Sequence, residues 1–138
     1  IDACLVGSEM CIRDSHGRVA SYIEELSIIE KVHTAAFADF LDTLRSVEEP
    51  NGRSLLDNTM TLFGSGMGNA SSHSNKDLPL ILAGGGFQHG QHIRYEKDKS
   101  RGTQTMACNL YLSMLQRFGM EINQFNTSTG TLTGLEVA

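Results

Sequence analysis

Residues 55–92 read LLDNTMTLFGSGMGNASSHSNKDLPLILAGGGFQHGQH, two short apolar runs that each end in a glycine-rich, polar, histidine-bearing turn. The first run, residues 60–63, stops at Gly64, and the second, residues 78–83, runs into Gly84. Apolar runs of this length bounded by turn chemistry predict strands. Both are nearly continuous rather than alternating, the pattern of strands buried on both faces of a parallel sheet with helices on either side. Two such strands side by side put their loops at one edge, outside the carboxyl ends, where ligands and catalytic groups collect in open α/β sheets. The expected fold class is α/β with a mostly parallel sheet, and the expected site lies in the two loops.

Upstream, Leu26, Ile29, Phe37, Phe40 and Leu44 recur at spacings of three, four or their sums, which predicts a long amphipathic helix over residues 19–44. Glu24, Glu25 and Glu30 toward its start and Arg45 at its end complement the helix dipole, and EEPNG from Glu48 stops it. His33 falls seven residues after Leu26 and four before Phe37, so it is expected at the core or its margin as a hydrogen-bonded packing residue. Downstream, the polar and charged residues 88–102 predict a hairpin or an exposed excursion. Met106, Leu110, Met114 or Leu115, and Phe118 then mark a second helix over residues 105–118, with Gly119 as its stop and Cys108 as a buried thiol. The tail NTSTGTLTGLEVA has no helical period and is expected to lie extended across the domain.

Residues 1–15, IDACLVGSEMCIRDS, show neither helical nor strand periodicity and do not prepare the helix that follows. The string resembles a translated library or adapter sequence, so these residues read as a non-native arm; an ordinary irregular N-terminal arm is the alternative. Either way they stand outside the fold argument. The domain is then residues 16–138, and Cys4 and Cys11 carry no redox meaning if the arm is foreign. Three cysteines without finger spacing argue against both a disulfide framework and a zinc ribbon.

With 138 residues the chain has the size of one domain or a piece of a larger one. Its formal charge is -5, and its basic cluster, Arg94, Lys97, Lys99 and Arg101, is interleaved with Glu96 and Asp98. No stripe for a phosphodiester backbone results, and nucleic acid is not expected as a partner. No apolar run approaches the roughly 20 residues that span a bilayer, so no transmembrane segment is expected, and no basic stretch leads into an apolar signal-like run.

Glycines 64, 66 and 68 after a strand invite a nucleotide-binding reading, but no helix opens at once: residues 69–77 are turn-forming NASSHSNKD, and no Lys-Ser or Lys-Thr pair follows. Ser65 does not sit in G-x-S-x-G, because Phe63 holds the first position. The histidines carry more. His73 lies in the first loop with Ser72, Asn75 and Asp77, and His89 and His92 lie in the second. If the loops meet, imidazoles with a carboxylate or amide supply a divalent-metal or acid/base site. The bland alternative is hydrogen bonding to loop backbone, which Asn, Asp, Ser and His commonly provide in such turns.

From about residue 16 onward the chain is similar to the carboxy-terminal part of the HXXSHH family, a group classed as a domain of unknown function. The matching stretches are IIEKVH with FADFLDTLRS, LLDNTMTLFGSGMGNASSHSN, DLPLILAGGGFQHGQH, CNLYLSMLQRFG and STGTLTGLE. Family members are longer, typically begin with an export signal, and carry HxxSHH just before the long helix. His16, followed by Gly17, stands where the last histidine of that motif would fall. The resemblance implies a C-terminal fragment of one domain, with an extracytoplasmic (periplasmic or secreted) location.

The family in turn resembles the alkaline phosphatase and sulfatase group, which implies a partial three-layer sandwich, the C-terminal fragment of an alkaline-phosphatase-like fold. In that group a strand of similar position ends in an S-D-H-G turn whose Asp and His bind metal. Here Ser65 matches the Ser, but Gly66 and Met67 stand where Asp and His would be, and neither ligates a hard cation in that way. His73 holds a position comparable to a later metal-binding His. With the loop carboxylate Asp77 and with His16 it forms the implied metal set; Ser65, Asn75, His89 and His92 are further loop candidates, and no catalytic residue is assigned. The implied cofactor is a divalent metal such as zinc, and the implied substrate a small-molecule or polysaccharide ester.

Two functions follow as expectations. One is an exported phosphatase- or sulfatase-like hydrolase with a modified metal site, in which the metal polarises an ester oxygen or activates water. The other is a non-catalytic binding or assembly module on the same scaffold, in which the glycine-rich loops serve recognition. Under either, the chain by itself is expected to be inactive, and poorly stable through exposed apolar surface and unpaired strand edges.

Overall fold

The computed structural model describes residues 20–69, 71–95 and 105–136. Its elements follow in the order α1 (Ala20–Ser46), β1 (Met60–Gly64), β2 (Leu80–Gly84) and α2 (Ala107–Arg117). Mixed α/β content is as expected, but β1 and β2 pair antiparallel, from Met60 opposite Gly84 to Gly64 opposite Leu80. The parallel sheet is overturned, and a two-stranded ribbon with two helices among the described residues makes no three-layer sandwich. The cause lies between the strands. A parallel pair needs a crossover, usually a helix, whereas residues 65–79 are turn-formers that fold on themselves, with a bridge between Asn69 and Ser74. The chain therefore comes straight back along β1. Nor are the strands buried on both faces: Thr61 is buried and its hydroxyl donates to the Ala83 carbonyl at 3.1 Å, while Ile81 is 46% exposed.

In α1 the predicted stripe holds in part. Leu26, Ile29, Phe37 and Leu44 are half-buried, Phe40 is exposed, and no residue of the helix is fully buried. The C-terminal half of the helix meets the ribbon, where the Phe37 and Phe63 rings stack at 4.7 Å. There too the Leu56 amide donates to the Leu44 carbonyl at 3.2 Å and the Leu55 amide to the Val47 carbonyl at 2.8 Å. His33, one turn upstream of that contact, is exposed rather than at the core. Ile28 and Val32 sit one turn apart, at 63% and 61% exposure, so α1 carries open apolar surface outside its main stripe.

The core gathers around α2. Leu110 and Leu112 are buried with Phe87 from the loop after β2 and Leu132 from the tail. Cys108 is half-buried rather than buried, and accepts a hydrogen bond from the Thr127 hydroxyl at 3.5 Å. The helix ends as its sequence predicts: the Gly119 amide donates to the Gln116 carbonyl at 3.0 Å and the Met120 amide to the Leu115 carbonyl at 3.1 Å, with Gly119 at φ 95°. This paired closure needs a left-handed residue, which glycine adopts without a Cβ penalty.

The tail crosses the domain without regular secondary structure, strapped down by polar groups of α2. Buried Asn109 accepts the Thr129 amide at 2.9 Å and donates to the Thr129 hydroxyl at 3.2 Å. The Ser113 hydroxyl donates to the Asn109 carbonyl at 3.0 Å and accepts the Leu132 amide at 2.9 Å. Further along, the Gln88 amide donates to the Leu135 carbonyl at 3.0 Å, and the Tyr95 hydroxyl to the Thr133 carbonyl at 2.8 Å. Burial, and then the Glu136 carboxylate, push the Tyr95 phenol up, which extends its range as a donor to higher pH. Residues 88–95 contain no strand, and the rest of the expected hairpin, residues 96–102 with most of the basic cluster, lies outside the described residues, as do residues 1–15.

Two substitutions test this account. Asn109→Ala removes both side-chain bonds to Thr129 and should lower unfolding free energy by about 1–3 kcal/mol in urea titrations. Gly119→Ala, where a Cβ meets open space, should cost about 1–2 kcal/mol, from φ alone. Equal and negligible losses would remove the strap and the helix stop as sources of stability.

Candidate functional site

The antiparallel register decides which candidate residues can meet. The loop of residues 65–79 leaves the ribbon where Gly64 faces Leu80, and the loop carrying His89 and His92 leaves where Met60 faces Gly84. At about 3.4 Å per residue the two ends of these five-residue strands are roughly 14 Å apart. The expected single loop edge is therefore replaced by two separate ends.

At the first end, polar side chains close the loop on itself. The Ser65 hydroxyl accepts the Met67 amide at 3.1 Å, the Asn69 side-chain oxygen accepts the Ser72 amide at 3.1 Å, and the Ser74 hydroxyl accepts the Lys76 amide at 3.2 Å. His73, Asn75 and Asp77 are exposed, and His73 and Asp77 have φ of 49° and 55°. Short polar residues and His are the side chains that tolerate this left-handed region. His73 and Asp77 share one loop; the third member of the implied metal set, His16, lies outside the described residues.

At the other end His89 turns back on the strand, with Nε2 3.0 Å from the Gly84 carbonyl oxygen. A carbonyl only accepts, so Nε2 is the donor in this contact. His92 is exposed in the same loop. Among the described residues, no group of three or more His, Cys, Asp or Glu could hold a metal ion.

A different constellation, not foreseen from the sequence, lies at this second end. Gly84, Gly85 and Gly86 take φ of 75°, 65° and 70°, a left-handed run open to glycine. Their turn presents carbonyls to a cation: Arg117, in the last turn of α2, donates through Nε to Gly85 and through Nη2 to Gly86, both at 2.9 Å. A Cβ on Gly86 would collide with Nη2. Beside this pair opens a cleft of about 330 Å³, lined also by Arg53, Asp57 and Asn58 from the turn before β1, by Met60, and by Phe118.

The turn itself is held by Asp57, whose Oδ2 accepts the Ser54 hydroxyl at 2.9 Å and the Ser54 amide at 3.0 Å. The Ser54 hydroxyl and the Ser54 amide hold the Asp57 carboxyl below the usual carboxylate range; desolvation opposes them, and the Arg53 charge adds a smaller lowering effect. Asn58 donates to the Glu49 carboxylate. The Leu56 carbonyl accepts the Gly85 amide at 3.3 Å, which ties the turn to the glycine run. Only the glycine run and an arginine just before a helix-stopping glycine were visible in the sequence, and nothing there paired them.

No family model, curated protein or solved structure matches the chain.

Asp57 should titrate below the ordinary carboxylate range. Its depressed pKa means the turn is supported while the carboxylate is ionised and loses that support as pH falls through its folded-state pKa. The Ser54 amide resonance should follow this titration, and Ser54→Ala should raise the midpoint. An ordinary midpoint in the unaltered protein would contradict the assigned bonds.

Proposed function

We propose that this chain is a non-catalytic binding or assembly module. The observation that carries the reading is the antiparallel register, which separates the His73 and Asp77 loop from the His89 and His92 loop. Acid/base and metal-assisted hydrolysis need their groups to converge on one reacting atom within hydrogen-bond or ligand distance. Loops that leave the ribbon at opposite ends share no common edge on which such groups would gather, which supports the reading. Gly66 and Met67 at the head of the first loop bring no ligand of their own for a hard cation. The open apolar surface of α1, with Ile28 and Val32, fits assembly.

A second reading, a metal-dependent ester hydrolase acting outside the cytoplasm on a small-molecule or polysaccharide ester, draws on His73 and Asp77 sharing one loop. It requires ligands beyond the described residues, with His16 the first candidate.

Purified protein offered phosphate and sulfate esters, with and without added zinc, should show no turnover above buffer. Zinc-dependent turnover abolished by His73→Ala would overturn the module reading in favour of the hydrolase.

A further inference from the structure

We infer that the cleft between the glycine run and the end of α2 binds a small organic monoanion, a carboxylate carrying an apolar group. This rests on the binding reading above and names its ligand class. Of the five N–H donors a guanidinium carries, Arg117 engages Nε and one on Nη2 with the glycine carbonyls. The plane of the group is thus set before a ligand arrives, and its other donors have no protein partner among the described residues. A guanidinium held this way suits the two-oxygen face of a carboxylate.

Charge selects a monoanion. The cleft is lined by the cationic Arg53 and Arg117 and the single carboxylate Asp57, a local positive excess in a chain whose formal charge is -5. Asp57 stays ionised at neutral pH, engaged with Ser54, and Glu49 lies one hydrogen bond away through Asn58. A second negative charge on the ligand would meet those carboxylates. The opposing field of the helix C-terminus is reduced because the Gln116 and Leu115 carbonyls accept the Gly119 and Met120 amides.

The walls select the rest. Met60 and Phe118 bring apolar surface to a polar cleft, and Phe118, at 78% exposure, has a ring free to cover a ligand. At about 330 Å³ the space is at the small end of ligand sites.

The test is a titration followed by amide resonances, with benzoate, acetate, benzamide and phenyl phosphate as probes at low salt. Benzoate should saturably shift Gly85, Phe118 and Ser54; benzamide, which lacks the charge, should bind up to about fivefold more weakly, the scale of one exposed charge contact, and acetate, which keeps the charge and lacks the ring, should bind more weakly too. Arg53→Gln should weaken benzoate by a similar factor; the Arg53 side chain makes no hydrogen bond among the described residues, so the fold loses only the weak effect of its charge on Asp57. Arg117→Lys, which keeps the charge and loses the planar fork, should weaken it too. Equal binding of benzoate and benzamide, unchanged affinity in Arg53→Gln, or tighter binding of phenyl phosphate would each overturn the proposal. Ester turnover, by contrast, would unseat the module reading and leave the anion measurement standing.

Discussion

The closure of Arg117 on the carbonyls of Gly85 and Gly86 is the contact on which the arrangement of this molecule turns. Three successive left-handed residues bend the chain so that neighbouring carbonyls converge, and only glycine does this without strain at each position. A guanidinium meets two such carbonyls with two parallel donors. Through this bond the C-terminal end of α2 is fixed against the end of β2, and the turn of residues 53–58 is drawn in by the Gly85 amide on the Leu56 carbonyl. The cleft is the space those pieces leave between them, which is why its polar lining comes from parts of the chain far apart in sequence.

Elsewhere the molecule relies on polar straps more than on a large apolar interior. The buried apolar residues among those described are Phe87, Leu110, Leu112 and Leu132. Around them Asn109 and Ser113 give α2 a row of side-chain bonds to the tail, and no buried side-chain polar atom among the described residues lacks a partner. Such a network specifies one path for a tail with no secondary structure of its own, because any shift leaves a donor or acceptor unmet. α1 joins the rest through the Phe37 and Phe63 stack and the hydrogen bonds at its end. Its remaining apolar surface is the ground for the assembly role proposed above.

Local patterns were legible where local physics decides them. The period of Leu26, Ile29, Phe37 and Leu44 made a helix, Gly119 stopped α2, and the apolar runs around Leu62 and Leu82 made strands. The direction of strand pairing was misread as parallel, although residues 69–77 are turn-formers that offer no crossover helix of the kind a parallel pair needs. Continuous apolar runs pointed the other way, because periodicity registers burial and carries no information about direction.

By itself, then, the sequence determined the helices, the strands and their punctuation, since capping, turn chemistry and side-chain period act over a few residues. Only the tertiary structure decided that the histidine loops lie at opposite ends of the ribbon, that His33 is exposed, and that Arg53, Asp57 and Arg117 share one cleft. These are relations between segments distant along the chain. The first follows once the turn-formers between the strands bring the chain straight back; the others depend on how distant segments pack and on which carbonyls a cation finds when the chain closes, which no one stretch of residues encodes.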